Sequence, residues 1–121
     1  MNKDKAIHFL ELIIAGKISE AYELYVDANG RHHNMYTPAG FANLQEGMQA
    51  AEEQTPNKQF KIKNVFGGDE LIAVHSHLII NPSEPGMATV HMFRFENGKI
   101  IEMWDIAQSI SSDSPNSDGP F

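Results

Sequence analysis

The chain has 121 residues, no cysteine, 41% hydrophobic residues and a net charge of −7. That length suits one domain with one core. Without thiols there are no disulfides, thiolate metal sites or cysteine nucleophiles, and the acidic balance argues against nucleic acid and membrane surfaces as partners. No apolar run approaches the ~18–20 residues of a membrane span. The N-terminus, MNKDKAIHFLELIIAGK, resembles a signal peptide only superficially. His8 and Glu11 break its apolar part and no small-residue cleavage site follows, so a cytoplasmic protein is expected.

Asp4 can cap a first helix over roughly residues 5–15. Ile7, Leu10 and Ile14 form its apolar stripe, widened by Ala6, Phe9 and Ile13. Gly16 ends it. A second helix is predicted from Ser19 to Val26, with Ala21, Tyr22 and Tyr25 buried. The stretch DANGRHHNM, residues 27–35, reads as irregular, with a turn at Asn29-Gly30. Thr37-Pro38 then opens a third helix, Thr37 capping and Pro38 at the first helical position. Phe41, Leu44, Met48 and Ala51 give its stripe, and it ends near Thr55-Pro56.

Strands follow. Residues 59–66 alternate, with Phe60 and Ile62 opposite Lys61 and Lys63. After a Gly67-Gly68 turn, residues 71–80 form a second strand with Ala73, His75, His77 and Ile79 on one face. Its other face, Ile72, Val74, Leu78 and Ile80, is apolar apart from Ser76. A strand apolar on both sides is central or lies at an interface, which predicts a homodimer through the sheet. Residues 111–121 have tail composition, leaving one domain over residues 1–110.

Between them lies MATVHMFRFENGKIIEMWDIAQ, residues 87–108. Asn97-Gly98 between β-type runs is a strong hairpin signal. A two-residue turn pairs Glu96 with Lys99 and sends His91 and Asp105 to opposite faces. A three-residue loop pairs Phe95 with Lys99, sets His91 opposite Met103 and brings Asp105 to the same face. The second register is preferred. It gathers Phe93, Ile101 and Ala107 beside His91 and Asp105, the mostly apolar face with a few polar groups that a pocket needs. Arg94, Ile100, Glu102 and Trp104 go to the other face. The fold class expected is α+β: a cone of three N-terminal helices on a strongly bent antiparallel sheet, enclosing a pocket lined by the hairpin and the His75/His77 strand.

The run FRFENGKIIEMWDIAQ, with IAVHSH upstream and HHN before the third helix, resembles the SnoaL-like polyketide cyclase family, closest to members described as predicted aldol-condensation enzymes. The resemblance covers about His32 to Phe121. It implies the α+β cone of the nuclear-transport-factor-two superfamily, shared with ketosteroid isomerase. His33-Asn34 matches the family's His-Asn, with Met35 in place of its proline. His75 and His77 match two histidines of a strand in which Ile72 replaces the first valine. His91 stands where the family often has an aspartate. Met103 replaces the histidine of a His-Trp-Asp run that Trp104 and Asp105 complete. The family's acid falls at Asp105 or three residues later, at Gln108.

The resemblance implies a cofactor-independent cyclase or isomerase acting on a small apolar carbonyl compound. One group of suitable pKa can take a proton beside a carbonyl and return it. Asp105 is the candidate acid/base, with His33 and His91 orienting or polarising. Asn34, Tyr36, His75, His77, Phe93 and Met103 are the candidate pocket residues. Plainer readings stand beside these: Asp105 as a buried carboxylate tied to an amide or a histidine, His75 and His77 as ordinary strand residues, His91 as a packed core histidine, His32 facing solvent. The superfamily also contains proteins that bind without catalysing, so a small-molecule-binding or dimeric interaction module is the alternative. His75, His77, His91 and Asp105 have ligand types suited to zinc, iron or nickel, but their spacing is poor and no metal is assigned.

Overall fold

The computed structural model describes residues 1–121. Three helices, α1 (Asn2–Ile14), α2 (Ile18–Tyr25) and α3 (Phe41–Gln54), pack on a sheet of five strands. The strands are β1 (Val26–His32), β2 (Gln59–Gly67), β3 (Leu71–Ile79), β4 (Met87–Glu96) and β5 (Lys99–Ser109), in spatial order β1-β5-β4-β3-β2.

Periodicity decides which faces meet. Inner-face residues Ile72, Val74, Phe93, Phe95, Ile100 and Met103 pack under Ala6, Phe9 and Leu10 of α1, Ala21 and Tyr22 of α2, and Phe41 and Leu44 of α3. Phe9 sits at the middle, edge-on to both Tyr22 and Phe93, with centroid distances of 5.6 and 5.7 Å. Edge-to-face packing suits the aromatic quadrupole.

The structure corrects the sequence reading in three places. The first is β1, predicted as irregular. It runs parallel to β5, with Val26 opposite Ile100 and His32 opposite Met103, and its register shifts between Val26 and Arg31. The sheet is therefore mixed rather than wholly antiparallel. Residues 26–32 have no alternating pattern of their own; pairing with β5 makes them a strand.

The second is the start of α3, at Phe41 rather than at Thr37-Pro38. The Pro38 carbonyl accepts a bond from His32 Nε2, 2.9 Å away, so the 37–40 segment bends around His32 instead of beginning a helix.

The third is the hairpin register. Glu96 pairs with Lys99, so the loop is the two-residue Asn97-Gly98 turn. Both turn residues have positive φ, 53° and 75°, as a type I′ turn requires. Phe95 pairs with Ile100 and Arg94 with Glu102, which leaves Ile101 as an extra residue on β5. This bulge does what the longer loop was expected to do: it restores Asp105 to the face of His91. His91 lies opposite Asp105, and Phe93 opposite Met103. Ile100 is fully buried on the inner face, not turned outward as expected.

Candidate functional site

The inner face of β4 and β5 brings His91 and Asp105 side by side. The parallel pairing of β1 with β5 supplies the third member. The backbone N–H of His33 donates to the Met103 carbonyl at 2.9 Å, which extends the pairing beyond β1. Two residues beyond the His32–Met103 pair, Asn34 Nδ2 donates to Asp105 Oδ2 at 2.8 Å. The other end of that amide is fixed too, since Asn34 Oδ1 accepts from the Tyr36 backbone N–H at 2.8 Å. With a donor required at one end and an acceptor at the other, only one amide orientation satisfies both.

His32 locks this corner. It is buried, 8% exposed, not solvent-facing as expected. Its Nδ1 accepts the Asn34 backbone N–H at 3.1 Å and its Nε2 faces the Pro38 carbonyl. Nδ1 must therefore be unprotonated and Nε2 carry the hydrogen. Tyr22 closes the far side. Burial first, and the Asp105 charge second, push its phenol well above the ordinary value of 10.0, so it stays a neutral donor. Its hydroxyl donates to Met48 Sδ at 3.3 Å.

A cavity of about 130 Å³ opens between α1, α3 and the sheet. Leu10, Ile13, Met48, Phe60 and Met103 line it, with His91 among them and Glu52 and Lys58 at one side. Lys58 and Glu52 pair at 3.1 Å. His91 reaches the cavity; Asp105, half-buried on the next strand, stands outside its lining. Burial pulls the His91 pKa below its ordinary value, and the Asp105 charge opposes that only in part. The imidazole is thus neutral near pH 7, and its Nδ1 is buried without a hydrogen-bond partner. Four larger hollows lie elsewhere. One of about 430 Å³ runs between α2 and α3; another of about 700 Å³ lies where Pro85–Met87 meet Ser109–Ser112. None of the four contains His91 or Asp105.

Several predicted pocket residues lie elsewhere. His75 and His77 alternate with the inward-facing Val74 and Ser76, so they occupy the outer face of the sheet, away from His91 and Asp105. There the C-terminal Phe121 ring covers them, with centroids 5.5 and 4.8 Å away. His33 also faces outward, with Nε2 2.7 Å from Glu102 Oε2 and its ring stacked on Trp104. Tyr36 is 90% exposed. Phe93 is fully buried against Phe9 and is core, whereas Met103 does line the cavity. The four residues with metal-ligand chemistry thus stand on opposite faces, and no group of three or more converges. Tyr22, His32 and Met48 belong to the site without having been marked for it. Helical spacing announced Tyr22 and Met48 only as core, and His32 was expected to face solvent.

The model of the SnoaL-like domain family matches residues 6–103. The chain belongs to the SnoaL-like family. Solved structures agree in fold. IdmH from Streptomyces antibioticus, described as a putative polyketide cyclase, superposes with a TM-score of 0.72 at 16% identity, over 89% of this chain and 92% of that one. A SnoaL-like polyketide cyclase from Agrobacterium tumefaciens gives 0.72 at 16% identity, over 89% and 91%. An NTF2-like protein of unknown function from Cytophaga hutchinsonii gives 0.71 at 11% identity, over 89% and 90%. No curated protein matches this sequence. At these identities the likeness is one of fold: the α+β cone of NTF2-like proteins, here with helices on one side of an open five-stranded sheet. No helix is long and apolar enough to cross a membrane.

Proposed function

We propose that this SnoaL-like protein carries out cofactor-independent acid/base chemistry next to the carbonyl of a small apolar compound, an aldol-type cyclisation or a proton shift. The observation that carries the reading is the Asn34–Asp105–His91 arrangement beside a mostly apolar cavity. Asp105 takes the proton from the carbon beside the carbonyl. Negative charge then grows on the carbonyl oxygen, which accepts a hydrogen bond from His91. A neutral imidazole serves this purpose, because it donates without first protonating the substrate. Asp105 returns the proton to carbon in an isomerisation, or to the new alkoxide in an aldol step, and ends as it began. Asn34 holds the carboxylate in place. His33, turned outward against Glu102, has no role in this scheme.

The test is exchange of the protons beside the carbonyl of small apolar ketones in deuterated water, followed by NMR. Wild type should exceed buffer, and Asp105→Asn should lose on the order of 10²-fold or more with its fold intact. Equal rates in both proteins would sink the assignment. A non-catalytic binder is the second reading, and one observation favours it: Asp105 stands outside the cavity lining. Ligand binding without exchange would select it.

We further propose a cytoplasmic homodimer formed through the outer face of the sheet, where Phe66, Leu71 and Ile106 are exposed by 59, 40 and 54%. A monomeric mass in solution would count against the dimer.

A further inference from the structure

Two features of the cavity beside His91 narrow what it can hold. The first is size. About 130 Å³ is well below the roughly 300–1,000 Å³ of sites for drug-sized ligands. An apolar cavity of roughly 150 Å³ holds benzene. Leu10 of α1, only 4% exposed and packed into the core, closes one wall of it.

The second feature is the placement of unused hydrogen-bonding capacity. Glu52 and Lys58 satisfy each other, and Lys58 Nζ also donates to the Thr55 carbonyl at 2.8 Å. His91 has no such partner, and its Nδ1 is buried. Ser76 Oγ, diagonal to His91 across β3 and β4, is a second buried polar atom without a partner. Buried polar groups are nearly always paired, and leaving them unpaired costs stability. Ser76 lies outside the cavity lining, so the unpaired group that the cavity itself meets is the His91 imidazole.

We propose that this cavity takes a single-ring apolar compound bearing one oxygen, the size of phenol or cyclohexanone, with the oxygen held by the His91 imidazole. The inference rests on the cavity being the ligand site of the proposed function, and it adds an upper limit of one ring. Compounds of two or more fused rings are too large for the space beside His91.

The experiment is a binding titration of the full chain with phenol, benzene and 2-naphthol, read by NMR with the histidine rings labelled with nitrogen-15. Phenol should bind roughly three- to tenfold tighter than benzene, the worth of one net hydrogen bond, and should move the His91 ring resonances. 2-Naphthol should bind at least tenfold more weakly than phenol. In His91→Phe the preference for phenol over benzene should vanish. Should that variant fail to fold, the His91 resonances of wild type still decide. 2-Naphthol binding as tightly as phenol would overturn the proposal, as would phenol binding that leaves the His91 resonances unmoved. Phenol has no ketone position to exchange, so this result is independent of catalysis. Phenol binding without exchange of any ketone would overturn the acid/base reading alone. Ketone exchange with no phenol binding would overturn the single-ring proposal alone.

Discussion

His91 and Asp105 lie directly opposite each other on β4 and β5, and they do so because Ile101 is an extra residue in β5. Pair every residue in order, with no bulge, and His91 would face Trp104, with Asp105 turned to the outer face. Deleting Ile101 should therefore leave the site intact: it removes only the unpaired residue, so the Arg94–Glu102, Phe93–Met103 and His91–Asp105 pairs are kept and Met103 stays in the core. The variant should stay within about 3 kcal/mol of wild-type stability. Loss of the cooperative fold in a urea titration would contradict this.

Asn34→Ala removes the donor to Asp105 and the acceptor of the Tyr36 N–H together. A charge-assisted bond at a half-buried carboxylate is worth about 1–2 kcal/mol. Proton exchange on ketones should fall about tenfold as the carboxylate loses its fixed direction. Asn34→Asp, which sets a second carboxylate against Asp105, should do worse in both stability and rate. Parallel denaturation and exchange measurements on the two variants check this order.

Acid sensitivity should come in two windows. Burial lowers the folded pKa of His91 below 6.5, so the unfolded chain takes up the proton first as pH falls. That contribution is fully present above about pH 6.5 and is lost as pH drops from there toward the folded value. Glu102 behaves separately. The hydrogen bond from His33 is the main cause holding its carboxyl below 4.5, so its contribution is present above 4.5 and lost as pH falls through the folded pKa. His91→Gln should flatten the upper window only, and Glu102→Gln the lower only. Unfolding midpoints between pH 3 and pH 8 read both.

Gly30→Ala should be costly although Gly30 lies on an edge strand. A Cβ there would meet the Ile101 carbonyl and come within 2.6 Å of the Phe41 ring. The backbone of β1 passes against the bulge, leaving no room for a methyl group. A loss of about 1–3 kcal/mol is expected, with the Asn34–Asp105 bond disturbed because β1 delivers Asn34. Thermal unfolding of Gly30→Ala against Ala28→Gly, a change at an exposed position, separates packing from backbone entropy.

The tail gives a smaller effect. Phe121 caps His75 and His77, and Lys63 Nζ lies 5.0 Å from its ring centroid. Phe121→Ala should shift the ring resonances of both histidines while changing stability by no more than about 1 kcal/mol. It should leave His91 unmoved, since that residue lies on the opposite face.

What the sequence determined by itself was whatever depends on near neighbours. The 3.6-residue stripes around Phe9 and Tyr22 dictate helices, the alternation from Phe60 to Val74 dictates strands, and Asn97-Gly98 dictates a turn that tolerates positive φ. A pattern quoted from FRFENGKIIEMWDIAQ was enough to point to the SnoaL-like family. The tertiary structure decided everything that depends on parity and on distant pairing. Side chains alternate with period two, so the one-residue bulge at Ile101 sets the face of every residue after it, and no local rule marks which residue will bulge. Strand β1 exists because β5 offers it an edge, not because residues 26–32 favour extension. His33, His75 and His77 looked like site residues from their chemistry, yet a strand residue belongs to whichever face its parity assigns, and theirs is the outer one. Asn34 came to Asp105 through a parallel pairing between segments some 70 positions apart (|i−j| = 71), a contact that only the closed fold creates.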